Sequence, residues 1–391
     1  MERKIIGIEL TPVHVPFKEL IKQAMAKSAS GLGMAIGAEE EWLGADCAIC
    51  KIFCDDGNYG LGEVFVWYPE TGVAPTQIID VIQNALYRYI IGENPFNIER
   101  ILYRMNRNVA RQQIAKGLLD MACYDLMGKV TERPACDFMG GHTVDEIPLA
   151  ALVPLADIET MTSLTKMFIK MGFKTLRYKL GNKVSEDVEI TKAIRDVVGP
   201  NIRLRVDYNQ AYSPAEAVRA IRAIEPYNID FAEQPVKADN YVGMAYVQKR
   251  VNIPLMAHEG FFSLQDFVTL VELGAVGVLG LNSERPGGVT NALKALTYAE
   301  QRGIEAVLHN QPLGIASAMH IHLAAARYHS LGHATELFGH IMLEDDLIKT
   351  PLTYEKGVAK VPKGPGWGVS LDEKALEKYR TGPTISIGKT G

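Results

Sequence analysis

Long apolar runs are missing from this chain: none approaches the roughly 18 residues of a membrane span, so no membrane partner is expected. Positive charge is also short. Against 46 Asp and Glu stand 41 Lys and Arg, and the net charge of −5 offers nucleic acid no basic footprint. The opening MERKIIGIELTPVHVPF has neither a long apolar stretch nor a small-residue cleavage site, so no signal peptide and a cytoplasmic location are expected. Cysteine is sparse, with five in 391 residues, and three lie together in ADCAICKIFC as Cys47, Cys50 and Cys54. That segment alternates like a strand, which turns Cys47 and Cys50 to opposite faces and points to buried thiols rather than a shared metal. The glycines of GLGMAIG (31–37) fit neither a Walker loop nor a dinucleotide fingerprint, so a mobile surface loop is expected there.

What the chain does have is length and apolar mass. Its 391 residues, 47% hydrophobic, exceed one core and suit two packed domains or a large barrel with additions. The N-terminal third reads as α+β, with strands near 4–15, at 46–54 and from Leu61, then helical patterning over 75–130. From about residue 147 the texture changes, and short apolar runs alternate with helical stretches. TLRYK, RLRVD, IDFAE, PLMAHE, VGVLGLN, IEAVLH and HATE end at Lys179, Asp207, Glu233, Glu259, Asn282, His309 and Glu336. Successive ends lie 28, 26, 26, 23, 27 and 27 residues apart, the length of one strand, one helix and two loops. Ser213-Pro214-Ala215-Glu216 is a capping-box helix start, and Ser263 with Asp266 is a weaker one. With IPLAALV (147–153) as a first strand the count reaches eight, which predicts a (β/α) barrel whose active site lies at the C-terminal strand ends.

Asp207, Glu233 and Glu259 come from consecutive strands, and three carboxylates aimed at one point need a cation between them. All-oxygen ligation favours Mg²⁺ or Mn²⁺ and leaves positions open for substrate oxygens. The competing reading for each carboxylate is a salt bridge to Arg203 or Arg205. His258 would point away from Glu259 on a regular strand and is the weaker ligand candidate. Arg177 and Lys179 share one face, and Arg177 and a metal would disfavour the lysine's ammonium form, making Lys179 a general base. The bland reading is a pair of interior cations that neutralise the carboxylates. His309 would stand roughly opposite. The ring thus predicts α-proton abstraction from a small-molecule carboxylate to a Mg²⁺-stabilised ene-diolate.

At this point the chain resembles the enolase superfamily, in its mandelate racemase/muconate-lactonizing branch. The resemblance rests on NYGLGE (58–63), LLDMACYDLMGKVTERPACDFMGG (118–141), DYN (207–209), FAEQP (231–235), SERPGG (283–288) and HNQPLGIASAMHIHLAAA (309–326). It implies a modified (β/α)7–8 TIM barrel (131–350), an α+β capping domain (1–130) and a C-terminal segment (351–391) packed back on the cap. It also implies a flexible cap loop including residues 16–42 that contributes to substrate choice, Glu259 rather than His258 as third ligand, and a homo-oligomer, dimer or octamer. Asn209, Arg177 and Glu336 are implied as substrate-binding groups, with Glu336 hydrogen-bonding the substrate carboxylate. The loop carries little charge beyond Glu39–Glu41, Lys18, Lys22 and Lys27, so it does not define the distal group of the substrate.

Two departures from the family pattern matter. The usual Lys-x-Lys is Arg177-Tyr178-Lys179, and the sixth-strand Asp or Lys is Asn282. An amide cannot stabilise imidazolium by charge, and in serine proteases the comparable Asp→Asn change costs about 10⁴ in turnover through the wrong tautomer. His309 is therefore expected to be a poor base but a usable acid. The leading expectation is a dehydratase of hydroxy acids or acid sugars, in which Lys179 takes the α-proton and His309 protonates the departing hydroxyl. A racemase or epimerase, a lactone cycloisomerase and a catalytically silent small-acid binding protein are the alternatives.

Overall fold

Alternating apolar residues in the first third build β1 (Ile5–Pro16), β2 (Gly44–Cys54) and β3 (Tyr59–Val66), an antiparallel meander. The computed structural model describes residues 3–35, 39, 42–310 and 312–389. Helix Gln113–Thr131 lies across the meander and is buried along most of its length. The glycines of NYGLGE permit that approach. A Cβ at Gly60 would sit 2.1 Å from the Ala122 carbonyl oxygen, and one at Gly62 would sit 2.5 Å from that of Leu118. Cys47, Cys50 and Cys54 are free and buried in β2.

After β4 (Glu146–Pro148) come eight parallel strands: β5 (Ala150–Val153), β6 (Thr175–Lys179), β7 (Arg203–Asp207), β8 (Ile229–Glu233), β9 (Leu255–Ala257), β10 (Val278–Leu281), β11 (Glu305–Asn310) and β12 (Glu336–Leu337). They follow one another in chain order, and a parallel bridge between Leu149 and Thr335 closes the ends. The expected barrel with an α+β cap is therefore the fold. Phe231, Met256, Val278 and Val307 fill its interior. Ser213 and Ser263 cap their helices as their spacing indicates, each accepting a backbone N–H three residues on. The chain then adds β13 (Tyr354–Glu355) and β14 (Val358–Lys360), and β15 (Ile385–Gly388) pairs with β1 in the cap sheet.

Three expectations are corrected here. IPLAALV is not one strand: Ile147 and Pro148 belong to β4, which pairs with β14, and only the second half enters the barrel. Glu336 starts β12 rather than ending a strand, because residues before it are spent on the closing bridge. The stretch 16–42 is not all loop, since Glu19–Met25 is helical and Leu32 and Met34 are buried. Glu40 and Glu41 lie outside the described residues. Among the described residues, no helix is long and apolar enough to cross a membrane.

The cap is held to the barrel by buried carboxylates. Glu63 of β3 accepts backbone N–H groups from Leu313, Ile315 and Ala316, at the start of helix Gly314–Ala326. Asp120 accepts the backbone N–H and hydroxyl of Thr290 at the start of helix Val289–Gln301. Both satisfy helix N-termini that would otherwise leave buried donors unpaired.

Candidate active site

Strand register sets the first half of the site. Lys179 pairs with Asp207 and Asp207 with Glu233, so these side chains emerge in a row. Arg177, two residues back on the same face, is 1% exposed. Its guanidinium contacts Asp207, Glu233 (Nε to Oε2, 2.7 Å) and Glu336 (2.6 Å). Lys179 Nζ donates to Asp207 Oδ2 at 2.5 Å and to Asn209 Oδ1 at 2.7 Å. Asn209, held at φ 41, also donates from Nδ2 to Glu259 Oε1 at 3.1 Å. Burial alone would raise the Asp207 carboxyl, but Arg177 and Lys179 outweigh it and hold it below the usual range. Burial raises Glu233 well above the usual range despite Arg177, and burial and Asp207 raise Glu259.

Arg205 pairs with Glu336 at 3.0 Å and Arg203 with Asp230 at 2.6 Å, so neither takes up the three carboxylates. Arg177 does act as an interior counter-cation. Among the described residues, four carboxyl groups (Asp207, Glu233, Glu259, Glu336) meet three basic side chains (Arg177, Lys179, Arg205) around the ring.

The other half is organised around three uncharged groups, His258, Asn282 and His309, and revises the expected direction of His258 and the expected tautomer of His309. His258 faces inward. Strand β9 stops at Ala257, so strand alternation no longer governs the next residue. Its ring lies 4.1 Å from that of His309, centroid to centroid. Between them Asn282 Oδ1 sits 3.0 Å from His258 Nε2 and 3.2 Å from His309 Nδ1. The amide is oriented from behind: Asn282 Nδ2 donates to Glu284 Oε1 at 3.4 Å, and Glu284 also accepts from Asn310. An amide oxygen only accepts, so both facing nitrogens carry hydrogens. His309 is thereby held with Nδ1 protonated and the Nε2 lone pair exposed. That is the tautomer a base needs, and the expected wrong tautomer does not form. Burial, then the Arg285 charge, pushes His258 down to about 3. Burial, then His258 and Arg177, holds His309 well below its ordinary value, so both rings are neutral.

Fixing those tautomers turns acceptor on acceptor. His258 Nδ1 lies 3.2 Å from Glu233 Oε1 and 3.5 Å from Glu259 Oε2, and His309 Nε2 lies 3.5 Å from Glu233 Oε1. Among the described residues, His258 Nδ1, His309 Nε2 and Glu259 Oε2 are buried without a hydrogen bond, whereas Glu233 Oε2 faces the Arg177 guanidinium. Buried lone pairs facing one another repel unless a cation lies among them, and this donor chemistry fits a divalent ion. Among the described residues, Glu233, His258 and His309 bring ligand atoms within 4.8 Å of one another, as do Glu70, His258 and Glu259. Asp207 stands apart from those groupings, engaged by Arg177 and Lys179.

Two further residues escaped the sequence reading. Arg285 donates to Glu70 at 2.6 Å and to the His258 carbonyl at 3.1 Å, tying the cap to the histidine side. Glu284 shares the SERPGG segment, but only its place behind Asn282 shows what it does. The mouth above is roofed by Met34, Trp42, Phe65 and Trp67, with Trp42 stacked on Trp67 at 5.0 Å. Lys179 and His309 line the same cavity from strands on different sides of the barrel.

A capped parallel barrel with a lysine, a histidine and a carboxylate cluster at its strand ends defines a class of enzymes that move protons on carbon acids. Residues 160–375 match the family model described as enolase C-terminal domain-like, and residues 19–140 match the mandelate racemase / muconate lactonizing enzyme N-terminal domain. The chain belongs to the mandelate racemase/muconate-lactonizing branch of the enolase superfamily, and it is an enzyme. It is 35% identical over 315 residues to the hydrophobic dipeptide epimerase of Enterococcus faecalis, covering 78% of this chain and 86% of that one. A structure of dipeptide epimerase from that organism, complexed with Mg and the dipeptide L-Leu-L-Tyr, superposes with a TM-score of 0.83 at 31% identity over 94% and 99% of the two chains. The N-succinyl Arg/Lys racemase of Bacillus cereus gives 0.89 at 28% identity, over 98% and 100%. The muconate lactonizing enzyme of Pseudomonas fluorescens, complexed with muconolactone, gives 0.86 at 26%, over 97% and 100%. These relatives are an epimerase, a racemase and a lactonizing enzyme, which favours isomerisation over the dehydration expected first.

Proposed function

We propose that this enzyme is a divalent-metal-dependent racemase or epimerase in which Lys179 and His309 flank the α-carbon of a small carboxylate, the neutral one removing the α-proton from its face and the protonated one returning a proton to the other. The observation that carries this is Asn282 Oδ1 against His309 Nδ1 at 3.2 Å, with the amide fixed by Glu284. It supports a neutral His309 with Nε2 ready to accept a proton, so the site has a base on each side. The tautomer argument for dehydration falls with this contact, while burial still keeps His309 a weak base.

Asp207, Glu233 and Glu259 would hold the cation, with His258 Nδ1 beside the last two. Mg²⁺ suits the oxygen donors, and Mn²⁺ tolerates the added nitrogen. Bound there, the cation supplies positive charge for the substrate carboxylate as the α-carbon loses its proton. Lys179 is steered by Asp207 and Asn209, and takes or returns the proton at Nζ on one face. His309 does the same at Nε2 on the other. Glu336 is pinned by Arg177 and Arg205 and fixes the ring's geometry at the His309 side. Trp42, Trp67 and Phe65 keep water from the carbanion.

The test is α-proton exchange in D₂O with Mg²⁺, followed for both enantiomers. Both should exchange with the wild-type enzyme. Lys179→Ala should abolish exchange from one enantiomer, and His309→Asn from the other. Keto-deoxy product without racemised substrate would refute the proposal in favour of dehydration, and ring closure without exchange would favour cycloisomerisation.

A further inference from the structure

Beside the catalytic lysine the cap and barrel enclose a second cavity, of about 70 Å³, with Lys179 in its wall. The cap contributes Ile21 and Met25 from helix Glu19–Met25, and Met34. The barrel contributes Leu164 and Phe168 from helix Ile158–Lys170, and Ile341 beyond β12. Among the described residues its charged lining groups are Lys18 and Lys179, and both ammonium heads are held at the rim by hydrogen bonds made elsewhere. Lys18 Nζ donates to the His340 carbonyl at 2.8 Å, and Lys179 Nζ is held by Asp207 and Asn209.

The chemistry of such a space is selective. Apart from the two lysines the described lining is apolar, so a charged or hydroxylated group placed there loses most of its water for little return, whereas a hydrocarbon gains contacts on nearly every side. Size selects further. A cavity of about 150 Å³ takes benzene, so one of half that volume suits a branched aliphatic group of a few carbons better than an aromatic ring. The cavity opens on the residue that handles the α-proton, so its occupant is attached near the α-carbon.

We infer that the substrate is a carboxylate carrying an uncharged, branched aliphatic substituent of valine or leucine size, seated between helix Glu19–Met25 and helix Ile158–Lys170. This deepens the α-proton reading above and uses that chemistry only as its readout.

The experiment takes N-acetyl amino acids and alanyl dipeptides with Val, Leu, Phe, Ser, Glu or Lys at the varied position. It measures α-deuterium exchange by NMR and binding by calorimetry, on the full chain with Mg²⁺. Val and Leu members should exchange with kcat/KM at least tenfold above the Ser, Glu and Lys members. Equal or better turnover of Glu or Lys members would overturn the inference. Saturable binding of the aliphatic members over the charged ones, with no exchange from any, would uphold the pocket and sink the α-proton reading. Absence of both binding and exchange for every member would overturn the pocket. As a second arm, Leu164→Glu and Ile21→Glu, each at a partly buried position, should shift preference toward the Lys members by tenfold or more. An unchanged aliphatic preference in both folded variants would also overturn it.

Discussion

The two halves of the barrel mouth solve opposite electrostatic problems. From β6 to β8 the site is saturated with charge, and nearly every acceptor on Asp207 and Glu233 meets Arg177 or Lys179. From β9 to β11 the inward groups His258, Asn282 and His309 are neutral, and two imidazoles are organised by one amide oxygen. The charged half holds its members by Coulomb attraction in a low-dielectric space, which is strong and tolerant of small displacements. The neutral half depends on hydrogen-bond direction, which fixes a tautomer but yields to any change in donor pattern. The residue that distinguishes the halves is Asn282, and its lack of charge keeps His309 neutral.

Experiments that break this contrast range from severe to slight. The largest effect should follow removal of divalent ions. Chelation should bring α-proton exchange below detection, Mg²⁺ should restore it, and thermal unfolding should rise with Mg²⁺ by about 2.7 kcal/mol at a hundredfold excess over Kd. Persisting exchange after exhaustive chelation would contradict the assignment of Glu233 and Glu259. Next, Lys179→Ala should lower turnover about 10³-fold, as for other lost general bases. A loss in KM alone would reduce Lys179 to a binding group.

The neutral half is tested by adding charge to it. His309 titrates below its ordinary value because of burial, His258 and Arg177, and the base role needs it neutral. Asn282→Asp sets a carboxylate against Nδ1 and raises that pKa, so the acid limb of the kcat/KM profile should move to higher pH. An unmoved limb would mean that His309 is not the titrating base. Glu284→Leu frees the amide to rotate and should cost about 10-fold to 100-fold in turnover, typical of a lost supporting hydrogen bond. Glu284→Gln should recover part of it. Imidazole ¹⁵N shifts should report the change of tautomer even without substrate.

Much of the charged half was legible in the sequence, and little of the neutral half. Asp207, Glu233 and Lys179 sit at regular strand ends in register, so spacing alone brought them together. His258 was misjudged because β9 is only three residues long, and a strand rule was carried past its end. The meaning of Asn282 depends on Glu284 and two histidines converging in space, and residue type alone gave the opposite tautomer. Glu70 meets Arg285 across 215 positions of sequence, with no local signal in either segment. The aliphatic pocket was hidden for another reason: helix Glu19–Met25 was read within a loop, and its partners follow β5 and β12.

The slightest effect is expected at the cap's anchor. Burial pushes the Glu63 carboxyl up to about 8 from an ordinary 4.5. Between those values the folded chain holds a proton that the unfolded chain has released, so stability falls as pH rises through that window. The slope from this group reaches at most about 1.4 kcal/mol per pH unit. Glu63→Gln should flatten the difference between urea unfolding at pH 6 and at pH 8, and an unchanged slope would assign it to other groups.

The same carboxylate makes the roof and one wall of the site a single mechanical unit. Glu63 stands in the cap's third strand, yet the amides it satisfies begin the helix that directly follows His309. Lifting the cap on this side would expose those three amides together. Leu313, Ile315 and Ala316 thus form a native gauge of cap opening, readable by hydrogen exchange at single-residue resolution. On the aliphatic side the described residues offer only an exposed tie, Lys27 Nζ to the Thr160 hydroxyl at 2.9 Å, so exchange should be protected at one hinge and free to respond to substrate at the other.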